Sequence, residues 1–234
     1  MRYEAIFFDL DGTLLPMDTH EFAKAYFGGL CRDVSVLGVQ PEQLFHAIGT
    51  GVKGMILNQG AVTNEEIFWR CFTEATGVSR EDAEPVCARY YQNGFHHLKA
   101  VTGANPLAAQ MVELAHEKAP VVALATNPLF PMEAQAARLS WVGLTPADFD
   151  LVTCYSSDRF SKPNPAYYLD VCRRLQVDPT HCLMIGNDDR EDMQAGTAAG
   201  LETWLITDCR IPAETPWQGV QGTFAEIMER LRSL

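Results

Sequence analysis

The stretch "AIFFDLDGTL", residues 5–14, decides the fold. Ala5, Ile6, Phe7 and Phe8 form an unbroken apolar run, as in a parallel strand covered on both faces. Two carboxylates, Asp9 and Asp11, come directly after it, with Gly12 and Thr13 behind them. Two negative charges at the tip of so buried a strand need a chemical reason.

Outward from this stretch, short apolar runs recur at 121–126 ("VVALAT"), 151–155 ("LVTCY"), 182–186 ("CLMIG") and 203–207 ("TWLIT"). Helix-length segments lie between them. "NPLAAQMVELAHEK" puts Leu107, Met111 and Leu114 on one stripe, and "NPAYYLDVCRRLQV" does the same with Tyr168, Cys172 and Leu175. Asn105-Pro106 and Asn164-Pro165 read as an Asn cap with Pro in the first turn. This alternation predicts an α/β fold, a parallel sheet with helices on both faces.

More than a hundred residues separate the first two runs, far more than one crossover helix needs. From about 18 to 99 the pattern is helical throughout, with Thr63 and Ser79 placed as helix N-termini. The expectation is an inserted all-helical unit of four or five helices with its own small core. Its aromatic interior would be built from Phe68, Trp69, Phe72 and Tyr90. The expected division is a core of 1–16 and 100–234 and an insertion of 17–99.

Of 234 residues, 47% are hydrophobic and 21% charged, enough to bury a large core. The formal charge of −12 disfavours nucleic acid and anionic membranes as partners. The seven cysteines are odd in number and form no CxxC pair, so they read as reduced thiols used as small hydrophobes. No apolar run approaches a membrane span and no signal-peptide pattern opens the chain. A soluble cytoplasmic protein is expected.

In an open parallel sheet, ligands bind beyond the carboxyl ends of the strands. The residues just past each run therefore carry the information: Asp9-Leu10-Asp11-Gly12-Thr13, then Thr126-Asn127, then Ser161-Lys162-Pro163, then Gly186-Asn187-Asp188-Asp189-Arg190-Glu191-Asp192. Carboxylates brought together repel unless a divalent cation sits among them, and all-oxygen ligation suits Mg²⁺. Such a cation also lets a phosphate approach an acidic rim. Asp9, held rigidly at the strand end, is the natural nucleophile for an aspartyl-phosphate. Asp11 is placed to protonate the leaving oxygen and later deprotonate water. Lys162 and Thr126 would hold the phosphoryl oxygens, and Gly12 would turn backbone N–H groups toward them.

These motifs, in this order, resemble those of the haloacid dehalogenase (HAD) superfamily, and the resemblance spans essentially the whole chain. The insertion looks like that family's C1-type cap. The resemblance implies a Rossmann-like core and a Mg²⁺-dependent phosphohydrolase acting on a small phosphorylated metabolite. It implies Asp9 as nucleophile and ligand, Asp11 as acid/base with its carbonyl on the metal, and Gly12, Thr126, Asn127 and Lys162 around the phosphate. A phosphomutase would share the motifs, and a binding protein could keep the fold. Dehalogenases of the superfamily lack an acid equivalent to Asp11, which disfavours that activity here.

One departure stands out. Relatives usually carry Gly-Asp and a second acid five residues on, whereas here Asn187 takes the first place. Either Asp188 serves as ligand after a one-residue adjustment, or Asn187 ligates through its amide oxygen, or Asp192 carries the site; Asp188 and Asp192 are the preferred pair. Asp189 is expected to start the next helix. The glycine-rich stretch around Lys53 reads as a specificity loop or a kink between helices. His96, His97 and Lys99 stand at the second hinge, and residues 127–131 are a pocket wall or a helix cap.

Overall fold

A computed structural model describes residues 2–234. Six parallel strands form one sheet: β1 (Ala5–Phe8), β2 (Val121–Leu124), β3 (Leu151–Val152), β4 (Cys182–Gly186), β5 (Glu202–Ile206) and β6 (Gln221–Gly222). Their order is β3-β2-β1-β4-β5-β6, the doubly wound arrangement of a Rossmann-like core. β1 lies at the centre, Ala5 opposite Val121 on one side and Cys182 on the other. The direction in which strands are added reverses between β1 and β4, so the crevice of such a sheet opens beside Asp9.

Alternation along β1 explains its continuous apolarity. Ile6 and Phe8 pack with Val122, Leu124 and Ile185 beneath α5 (Ala108–Lys118) and α9 (Phe224–Arg232). Ala5 and Phe7 face the opposite layer, with Ala123 and Met184, under α7 (Pro165–Leu175) and α8 (Ala195–Ala198). Asn164 caps α7 through its side chain, as its sequence position suggests. The third helix on the first side is α6 (Met132–Trp141).

Between β1 and β2 the chain inserts a helical cap of α1 (Thr19–Val34), α2 (Pro41–Ile56), α3 (Asn64–Thr76) and α4 (Arg80–Gln92), ending in a 3₁₀ stretch, Gly94–Val101. Asp18, Thr63 and Ser79 accept hydrogen bonds from the first-turn N–H groups of α1, α3 and α4. The two crossings into the cap run side by side: Met17 pairs antiparallel with Thr102, and the Gly103 N–H donates to the Pro16 carbonyl at 2.6 Å.

Four details differ from the sequence reading. The cap has no core of its own: its buried side chains belong to one cluster continuous with the sheet, joined where Phe95 stacks on Trp141 at 5.8 Å and Tyr26 meets Phe130 at 5.0 Å. The glycine-rich stretch is no loop; most of it is the C-terminal part of α2. A side chain at Gly51 or Gly54 would collide with Phe68 or Ile67 of α3, so small residues let the two helices close up. Lys53 is exposed on the far side. The run 151–155 is a strand only at Leu151–Val152, because the chain turns where the Asp158 N–H donates back to the Cys154 carbonyl. β6 has no counterpart among the expected strands, since two residues carry no periodicity.

Candidate active site

Two carboxylates meet around one buried cation. Lys162 is fully buried, and its Nζ lies 2.8 Å from Asp9 Oδ1 and 2.6 Å from Asp192 Oδ1. β1 delivers Asp9, whose N–H still follows the sheet by donating to the Ile185 carbonyl. The loop before α7 delivers Lys162. A π-helical turn, Asp189–Gln194, delivers Asp192 and runs on into α8.

Burial pushes the Asp9 carboxyl up to about 8; Asp192 and Asp11 add to the rise and Lys162 opposes it. Burial works against the Lys162 charge too, yet Asp192 and Asp9 outweigh it and hold the ammonium above its ordinary range. The protein's own groups thus compensate an ionised Asp9 poorly, and a further cation beside it would favour that ionised form.

Asp192 commits both oxygens to the protein. Oδ1 takes Lys162, and Oδ2 takes the N–H groups of Asn187 and Asp188, each at 3.0 Å. Asn187 is likewise occupied: its Oδ1 accepts from the Thr13 hydroxyl at 3.0 Å and its Nδ2 donates to the Cys209 carbonyl at 2.7 Å. Asp188 caps the turn through Oδ1, accepting from the N–H groups of Arg190 and Glu191, and among the described residues its Oδ2 has no protein partner. Among the described residues Asp9 is bonded only through Oδ1, and Asp11 Oδ1 is a buried acceptor without a donor. Free oxygens at the ends of two adjacent strands suit a hard cation, although among the described residues no three His, Cys, Asp or Glu side chains form a finished cage.

Gly12 sits at φ +85°, and a Cβ there would lie 2.2 Å from the Asn187 amide nitrogen. The glycine thus serves close packing as well as the turn. Its own N–H donates to the Leu15 carbonyl at 2.7 Å, closing the turn. Thr126 is buried, and its hydroxyl has no protein partner among the described residues. The Asn127 amide donates to Glu191 Oε2 at 2.9 Å. Burial chiefly, with nearby Asp188 and Asp192, pushes Glu191 up to about 7 against the pull of Lys162.

Two arginines escaped the sequence reading. Arg138 of α6 is wholly buried and donates to Asp11 Oδ2, to Gln135 Oε1 and to the Ala134 carbonyl, with its guanidinium 4.3 Å above the Phe130 ring. The available signal was a basic residue four positions after Ala134, in phase with an apolar stripe. Arg210 forks onto Asp189 at 3.0 and 2.9 Å, so Asp189 both opens the π-turn and anchors the loop after β5. Leu129 and Phe130 do line a cavity, and Pro131 precedes α6, so that segment fills both expected roles. His96, His97 and Lys99 are exposed on the 3₁₀ stretch.

Residues 3–200 match the family model of haloacid dehalogenase-like hydrolases, and the chain belongs to that family. Its class within the family is that of the phosphoric monoester hydrolases. It is 25% identical over 217 residues to 6-phosphogluconate phosphatase of Escherichia coli, covering 92% of this chain and 86% of the relative. It is 28% identical over 207 residues to phosphoglycolate phosphatase of Vibrio vulnificus, covering 86% and 82%. Among solved structures, a 2-haloacid dehalogenase from Pseudomonas syringae superposes with a TM-score of 0.63 at 17% identity over 99% of both chains, a likeness of fold alone.

Proposed function

We propose that the chain is a Mg²⁺-dependent phosphatase of a small phosphorylated metabolite, working through an aspartyl-phosphate on Asp9. The observation that carries this is the pairing of roles at the end of β1. Asp9 has one oxygen fixed by Lys162 and one without a protein partner, and Asp11 stands two residues on with its own buried oxygen unpartnered. A nucleophile beside an independently held acid is what a phosphate ester needs and a halide does not, since an alkoxide leaving group must be protonated.

Asp188 through its free oxygen, Asp9 through Oδ1 and the Asp11 backbone carbonyl would together hold the ion, which leaves Asp9 Oδ2 for attack. Mg²⁺, when bound, neutralises charge on the transferring phosphoryl group. Asp192 acts through Lys162 rather than on the metal. Asp9 Oδ2 attacks phosphorus, Asp11 gives its proton to the leaving oxygen, and Asp11 then takes a proton from the water that cleaves the acyl phosphate. Lys162 and the Thr126 hydroxyl hold the phosphoryl oxygens. The contact from Asn127 comes from its backbone N–H, because its side chain is tied to Glu191. Asn187 supports Thr13 and the loop before Cys209. The division into a core of 1–16 and 100–234 and a cap of 17–99 is part of this reading, supported by the paired crossings at Met17 and Thr102. So is a cytoplasmic location, which the seven unpaired thiols suit. No helix among the described residues is long and apolar enough to cross a membrane.

The test is hydrolysis of acetyl phosphate and para-nitrophenyl phosphate with and without Mg²⁺, beside Asp9→Asn and Asp11→Asn. Turnover that requires Mg²⁺ and vanishes in folded Asp9→Asn is expected. Undiminished turnover in that variant would remove Asp9 from the mechanism.

A further inference from the structure

We propose that the alcohol part of the substrate is a compact, uncharged, ring-bearing group carrying one hydrogen-bond acceptor, seated in a cavity between cap and core. This rests on the phosphatase reading above and names the substrate class for the same site.

The cavity has a volume of about 230 Å³ and reaches Asp11. Its walls come from Phe22 and Tyr26 of α1, Phe68 and Trp69 of α3, Tyr91 of α4 and Phe130 before α6. Apolar cavities of about 150 Å³ stay dry and hold a benzene ring, so this one admits a single substituted ring or a small fused pair. The walls are set edge to face, Tyr26 against Phe130 at 5.0 Å and Phe68 against Trp69 at 5.3 Å, an arrangement that offers further ring faces and edges to an aromatic guest.

Charge settles what the cavity rejects. Asp11 is the one carboxylate on its walls, and no Lys, Arg or His lines it. Arg138, behind Phe130, is already bound to Asp11 and Gln135. The acids phosphoglycolate and 6-phosphogluconate, for which two relatives are named, would place a carboxylate here beside Asp11 and without a cation. A polyol finds few partners, because the Tyr26 and Tyr91 hydroxyls already bond each other at 2.7 Å and only Thr19 and Tyr155 add further hydroxyls to largely apolar walls.

One polar feature asks for a partner. Trp69 is 4% exposed, and among the described residues its indole N–H has no acceptor. Buried donors are nearly always paired. Trp69 lines this cavity and indole is a donor only, so the partner assigned to it in this proposal is an acceptor on the guest: an ether, carbonyl or ring nitrogen. Arg80 lies over the indole at 5.6 Å and helps to fix it in place.

The experiment compares kcat/KM for acetyl phosphate, 2-phosphoglycolate, 2-phenoxyethyl phosphate and 3-phenylpropyl phosphate. The last two are matched in shape, and only the first of that pair carries the acceptor. Both ring esters are expected to exceed phosphoglycolate by at least about tenfold, the scale on which one matched apolar group discriminates in a pocket. The phenoxyethyl ester is expected to exceed the phenylpropyl ester, and Trp69→Phe to abolish that difference. Ala23→Phe, which fills the cavity from α1, should lower the ratio of ring-ester to acetyl phosphate turnover. Acetyl phosphate turnover with phosphoglycolate equal to or above the ring esters would overturn the inference and leave the phosphatase standing. Folded, Mg²⁺-supplied protein that turns over none of these phosphates, acetyl phosphate included, would overturn the phosphatase reading itself.

Discussion

Arg138 donates to Asp11 from a position with no solvent exposure, while the carboxylate keeps 23% of its side chain open. The pair joins α6 to the loop after β1, and the two residues are 127 positions apart in the chain. It gives the expected acid/base a fixed partner on the core side.

Arg138→Met is accordingly expected to lower the unfolding free energy by about 3 kcal/mol, the low end for breaking a buried pair, because Asp11 can recover some hydration. Urea denaturation measures it, and a loss below about 1 kcal/mol would place the pair among ordinary surface bridges. The kcat should fall more than KM rises, since Asp11 loses orientation rather than the substrate losing contacts.

Lys162 holds two buried carboxylates, so Lys162→Met should both end turnover and destabilise the fold by about 3–5 kcal/mol. Adding Asp192→Asn removes one of the stranded charges. The double variant is expected to be more stable than the sum of the single effects, and denaturation of all four proteins of the cycle tests this. Strict additivity would mean that the two groups do not interact.

Asn187→Asp places an acid where the family resemblance leads one to expect it. The Asn187 amide, however, donates to the Cys209 carbonyl at 2.7 Å, and a carboxylate there would face that carbonyl oxygen without a proton. A loss of about 1–3 kcal/mol in stability is expected. No gain is expected in the Mg²⁺ concentration dependence of turnover; a clear tightening would make position 187 a ligand site after all.

Glu226 closes the capping box of α9, accepting from the N–H and the hydroxyl of Thr223, and these bonds hold its carboxyl below the ordinary 4.5. A depressed pKa in the folded state means that the ionised form stabilises it. That contribution is complete above the unfolded value and disappears as pH falls through the folded one. Glu226→Gln should therefore melt at lower temperature than the parent at neutral pH, with the gap closing as pH falls below the ordinary carboxyl range. A gap independent of pH would point to lost shape rather than lost charge.

The central strand, the parallel order and the helical insertion were legible because each rests on local patterning: a run buried on both faces, amphipathic stripes, and side-chain caps at Thr63, Ser79 and Asn164. Asp9, Lys162 and Asp192 were legible as candidates because strand ends in such a sheet face one rim. Which oxygen of which carboxylate stays free was not, since that depends on N–H groups and side chains brought in from elsewhere in the chain. Asn187 looked like a weakened ligand, yet it is the partner of Thr13 and Cys209.

By itself, then, the order of residues determined the fold class and the cast of the site, because secondary structure and strand-end chemistry depend on near neighbours. Only the tertiary structure decided the pairings. Arg138 reaches Asp11 across 127 positions, α2 and α3 close together at Gly51, and the cap lays its aromatic face on Phe130 with an unpartnered indole at Trp69. Contacts between distant segments arise from how whole elements pack, and packing leaves no periodic trace in the chain.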